Sequence, residues 1–145
     1  MLYAKKAMET DATIIYFLTI VLSVGIMVAL FFRFRYAVSD LETKVTGLWS
    51  NEDNSMGIMI YGLESRFHGE VVWIKDIDDK ILGSGIIQNM SLSYFCRGEG
   101  TYIDPFTQDQ FKLKMKLKKT GHLHLHLFEK SSRSLLKVEE WRQVG

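Results

Sequence analysis

The hydrophobic and polar positions of this chain change rhythm once, near residue 46. Before that point, residues 13–32 (TIIYFLTIVLSVGIMVALFF) run apolar and uncharged for twenty residues. At about 1.5 Å per residue a helix of that length spans roughly 30 Å, the thickness of a bilayer's hydrocarbon core. Arg33 and Arg35 follow directly, interleaved with Phe32, Phe34 and Tyr36, as in an interfacial belt with snorkelling cations. A signal-peptide core is about 7–15 residues long and ends in a small-x-small cleavage site, which this run lacks. The pattern therefore predicts a retained anchor. It divides the chain into a flank over 1–12, a transmembrane helix with its interfacial end over 13–36, a polar connector over 37–45 and a β domain over 46–145.

From residue 46 on, short alternating or aromatic-rich runs are separated by turn residues, the signature of antiparallel strands. Strands are expected at 47–50, 57–63, 67–74, 81–87, 91–96, 100–103, 111–118, 122–128 and 135–142. Turn residues cluster at 51–54, 76–79, 97–98, 104–105, 119–121 and 131–132. Strands that short and that numerous in roughly 100 residues favour a barrel or a sandwich, and the barrel is expected because closure removes sheet edges. The expected fold is all-β, a small antiparallel barrel of eight or nine strands preceded by one transmembrane helix. Trp49, Trp73, Phe111, Met115, Leu125 and Trp141 are its candidate interior residues.

One hairpin can be registered from the pattern. Phe111, Leu113, Met115 and Leu117 alternate with Lys112, Lys114, Lys116 and Lys118, and Leu123, Leu125 and Leu127 alternate with His122, His124 and His126. A two-residue Thr-Gly loop would set Leu117 against His124 and mix the faces. A three-residue loop, Lys119-Thr120-Gly121 with Gly in the left-handed region, sets Leu117 against Leu123 and keeps one face apolar.

Charge and candidate chemistry narrow the function. From Ala37 onward there are 14 Lys and Arg against 15 Asp and Glu, a balance that argues against nucleic acid as a partner. The lone Cys96, in an apolar stretch, reads as a small core residue. His122, His124 and His126 are the metal candidates, since alternate strand residues share a face. Lys114, Lys116 and Lys118 fall opposite them, and no carboxylate is placed nearby by the pattern, so a polar face is preferred to a metal site. With Lys112 and Lys119 this makes a basic surface suited to anionic headgroups, to an acidic partner subunit or simply to solvent. Asp76, Asp78 and Asp79 lack the spacing of a calcium loop. No nucleophile triad or phosphate-cradling glycine motif is present in the sequence, and no cofactor is expected. Gly25 and Ala29, near Thr19 and Ser23, form a small-xxx-small face on which another membrane helix could pack.

Several segments together give a family resemblance. Gly47-Leu-Trp49 resembles the Gly-x-Trp that opens lipocalin-like barrels. With Ile58-Met-Ile60, Phe67-His-Gly-Glu-Val-Val-Trp73, Ile81-Leu-Gly-Ser-Gly-Ile-Ile87, Gly100-Thr-Tyr-Ile-Asp104-Pro105, Phe111-Lys-Leu-Lys-Met-Lys-Leu117 and Trp141, it resembles the bacterial envelope proteins of domain-of-unknown-function family 2147. The resemblance spans 46–143 and implies a small lipocalin-like barrel, usually exported, without established catalytic residues. The chain departs from the pattern at Gln108-Asp109, where the family tends to have Gly-Lys, and in a trimmed segment over 75–80. The positive-inside count nearly ties, Lys5, Lys6 and the terminal amine against Arg33, Arg35 and Lys44, and the adjacency of Arg33 and Arg35 to the span leans toward a cytoplasmic domain. The family's export habit then places the barrel in the periplasm, anchored in the inner membrane. The expectation is a non-catalytic accessory or assembly subunit of a membrane complex, touching other subunits or lipid through Gly25, Ala29, Arg33, Arg35 and the four lysines of 112–118. Alternatives are a barrel holding a small apolar ligand or lipid, and a metal-binding protein at the histidine row.

Overall fold

A computed structural model of the chain describes residues 2–75, 79–93 and 96–145. One helix, α1 (Leu2–Val45), is followed by eight strands: β1 (Gly47–Asn51), β2 (Met56–Leu63), β3 (Arg66–Ile74), β4 (Gly85–Ser93), β5 (Arg97–Ile103), β6 (Gln110–Leu117), β7 (His122–Phe128) and β8 (Leu135–Gln143). A short 3-10 turn, Asp79–Ile81, precedes β4. All neighbouring strands are antiparallel, and β1 pairs with both β2 and β8, which closes the barrel. The chain divides into two compact units at Ala37/Val38.

The first unit is helical from Leu2, and over residues 14–32 it is uncharged on every side. From Ile14 to Ala37 its side chains are exposed, and the segment beginning at Ile14 is long and apolar enough to cross a membrane. Thr19 and Ser23 hydroxyls donate to the carbonyls of Ile15 and Thr19 one turn back, so neither carries an unsatisfied hydroxyl on that surface.

The second unit begins inside α1. Residues 37–45, read as a polar connector able to continue the helix, do continue it, and Leu41 and Val45, one turn apart, are 4% and 0% exposed and belong to the barrel's hydrophobic core. Their spacing puts both on one helix face. The helix stops where Gly47 adopts φ +126. The Val45 carbonyl, left without an intrahelical donor, accepts a hydrogen bond from Trp49 Nε1 at 2.8 Å. The end of α1 is thus a part of the barrel's packing.

Trp49, Met115, Leu125 and Trp141 are fully buried in that core, and Phe111 packs against it half-buried. Trp73 departs from expectation. It is half-buried and outside the core, and its indole lies where a Cβ on Gly57 would sit. Gly57 alternates with Met56 and Ile58, which are core residues, so the indole lies over the opposite face of β2. The cause is a register shift between Gly57 and Ile58 in the β2–β3 ladder, which breaks the alternation that Val71 would have passed to Trp73.

Two expected strands, 81–87 and 91–96, are a single strand. β4 runs through an irregularity between Gln88 and Ser91, where Asn89 takes φ 53, a conformation Asn tolerates. Gly100 of β5 faces this kink, and a Cβ there would come within 2.8 Å of the Met90 Cα. The turn expected at 97–98 moves back accordingly. Arg97 opens β5, and Cys96, read above as a core residue, is exposed at φ 58. Asp76 and Asp78 lie outside the described residues.

Candidate functional site

Two surfaces carry the chemistry of the barrel: the outer face of the β6–β7 hairpin and the cleft at one barrel mouth.

The hairpin forms in the apolar-face register. Leu117 pairs with Leu123, Met115 with Leu125 and Leu113 with Leu127. Gly121 occupies the left-handed region at φ +80, donates to the Lys118 carbonyl at 3.0 Å, and lets Lys118 donate to His122 at 2.8 Å. Lys114 stands opposite His126 and Lys116 opposite His124 on the outer face. Lys112, Lys114 and Lys118 are exposed and Lys116 is half-buried.

The neighbouring strand corrects one expectation. β8 does bring a carboxylate to the histidines: Glu140 pairs with His124 across the ladder. Its oxygens lie 2.6 Å from His122 Nδ1 and 3.4 Å from His124 Nε2. The hairpin register alone could not reveal this, because Glu140 comes from a third strand. His126 faces Val138 and has no such partner across the ladder. Burial holds its imidazole below the ordinary range, with the charges of His124, Lys118 and Lys116 adding to the effect. Among the described residues no group of three or more His, Cys, Asp or Glu side chains converges as a metal site.

The mouth cleft was missed by sequence reasoning. It encloses about 720 Å³ between the β1–β2 turn, the β5–β6 turn and β8. Its polar centre is Glu139, whose side chain is 13% exposed. One carboxylate oxygen accepts from Trp141 Nε1 at 3.2 Å and from the Tyr102 hydroxyl at 3.4 Å. The other pairs with Lys137 Nζ at 2.8 Å. Burial, reinforced by the Glu139 charge, pushes the Tyr102 phenol far up, so it stays a hydrogen-bond donor. The hydrogen bond to Glu139 likewise raises Lys137 and keeps it cationic. The signal for this site was in the sequence: period two from the interior Trp141 puts Glu139 and Lys137 on the inward row. Leu125 and Leu127 are their cross-strand partners.

Gly25, Ala29, Arg33 and Arg35 lie on α1 in the first unit, all exposed. A stripe of small side chains on a fully exposed apolar helix is compatible with close helix packing.

No protein-family model and no curated protein sequence matches the chain. Among solved structures, a Helicobacter pylori protein described as belonging to the lipocalin family aligns at TM-score 0.56 and 7% identity. The alignment covers 70% of this chain and 83% of that one. At that identity the likeness establishes architecture alone, and the architecture is a lipocalin-like barrel.

Proposed function

We propose that this chain is a non-catalytic, membrane-anchored lipocalin-like barrel that serves as an accessory or assembly subunit of a larger membrane complex. The observation that carries the reading is the first unit. A helix apolar and uncharged over residues 14–32 and exposed along that stretch has no stable place in water, and a bilayer or a partner helix must cover it. The second unit supports a surface role, since its inward rows pack against one another from Trp49 to Trp141. The resemblance to family 2147 supports a bacterial envelope setting, with the barrel in the periplasm and no enzymatic activity.

Extraction from the native membrane in mild detergent, followed by native mass determination, tests the reading. A heteromeric assembly is the expected result, and a lone monomer would sink it. Lys114→Glu with Lys116→Glu should reduce recovery of that assembly while leaving the fold intact, because both lysines lie on the outer hairpin face, away from the core. A reporter fused at Gly145 should read out in the periplasm.

A second reading, a barrel that holds a small apolar ligand or lipid, draws on the volume of the mouth cleft alone, since carboxylates line it. Its volume falls within the roughly 300–1,000 Å³ of ligand pockets. Mass spectrometry of an organic extract of the purified protein tests it, and an extract free of any stoichiometric small molecule counts against it.

A further inference from the structure

β8 outruns its neighbour. β1 pairs with it only from Trp49↔Gln143 to Asn51↔Trp141, so residues 135–140 continue past the last paired residue of β1. The sides of the strand can be assigned. Val144 donates to the Leu48 carbonyl, and residues two apart present their backbone groups to the same side. Val138 therefore presents its N–H and C=O away from β7 and toward a space that β1 does not reach. Such an edge is a template for another strand.

That space is the mouth cleft. Apolar side chains form part of its lining: Val138 is 45% exposed and Phe106 64% exposed, and the buried Tyr102 and Trp141 border it. Its charge is one-sided. Glu52, Asp53, Asp104 and Glu139 line it against Lys137, while Glu140 is engaged with His122 and His124. Lys137 itself is 64% exposed, so it can yield its place on Glu139 to another cation.

We propose that the mouth cleft is a docking groove for an extended basic–apolar peptide segment of a partner protein, which adds to β8 at Val138. Backbone pairing supplies affinity, and alternate side chains supply selectivity: basic ones follow the row of Glu139, and apolar ones follow the row of Val138. The proposal takes its partner from the accessory-subunit reading and names the chemistry of the contact.

The test uses the full chain in neutral-lipid nanodiscs, with the synthetic peptide acetyl-Lys-Val-Lys-Val-Lys-amide as probe. Saturable binding is expected, with slowed hydrogen exchange at the Val138 amide. Val138→Pro removes that donor while Lys137 and Glu139 keep the ladder to β7, and should weaken binding about tenfold or more. Glu52→Lys, at an exposed rim position, should weaken it about fivefold. No binding, equal binding of acetyl-Glu-Val-Glu-Val-Glu-amide, or protection mapping away from β8 would overturn the groove. If Val138→Pro does not fold, the protection map and Glu52→Lys decide. A stable native assembly from a chain that ignores the peptide overturns the groove and leaves the subunit reading standing. Peptide binding by a chain always recovered alone does the opposite.

Discussion

Single side chains on this barrel answer to strands that sequence neighbours do not reveal. Trp73 folds over Gly57, so any Cβ at that position overlaps the indole. Gly57→Ala should cost about 1–3 kcal/mol in denaturant unfolding, as overpacking does. Introduced together with Trp73→Ala, the same alanine should cost close to nothing, and an unchanged cost in the double variant would rule out the contact. His126 offers a second test. Its imidazole is held below the ordinary value by burial and by neighbouring cations, so the folded chain binds the proton more weakly than the unfolded chain. Both states are neutral above pH ~6.5 and nothing is gained there; as the pH falls below ~6.5 the unfolded state takes up the proton first and stability drops. The thermal midpoint of the wild type should therefore fall more steeply from pH 7 to pH 5 than that of His126→Gln. Parallel curves would count against it.

At the scale of elements, the strands legible in the sequence were those whose alternation runs unbroken. β6 alternates Leu113, Met115 and Leu117 with lysines and β7 alternates Leu123, Leu125 and Leu127 with histidines, without interruption, and even their register and the left-handed Gly121 could be read from pattern and turn chemistry. β4 could not, because Asn89 turns the chain within a strand and resembles a loop residue locally, while the ladder to β5 resumes at Ser91↔Glu99. The shift between Gly57 and Ile58 misplaced Trp73 for the same reason, since a bulge resets the period of two. The candidate sites divide likewise. The lysine and histidine rows lie on one hairpin and were visible, whereas the Glu140 contact comes from β8, outside that hairpin, and the Tyr102–Glu139 bond joins β5 to β8.

For the whole molecule, the end of α1 is where the two units meet in sequence, and its energetics can be measured. The boundary falls at Ala37/Val38, so the last turns of the helix belong with the barrel. Leu41 and Val45 are buried in its core, and the Val45 carbonyl accepts the Trp49 indole N–H. Deleting a buried aliphatic side chain costs about 2–5 kcal/mol, set against a total of about 5–15 kcal/mol for a domain. Removal of both, with the indole's acceptor, reaches the whole margin of stability. A fragment of residues 38–145 should therefore be soluble, monomeric and cooperatively folded without detergent. A fragment of 46–145 should unfold at far lower denaturant or bind hydrophobic dye in buffer. Leu41→Ala in the longer fragment should fall between the two. Equal midpoints for the two fragments would show that the helix end is a tether only, and the barrel would then have to be stable on its eight strands alone.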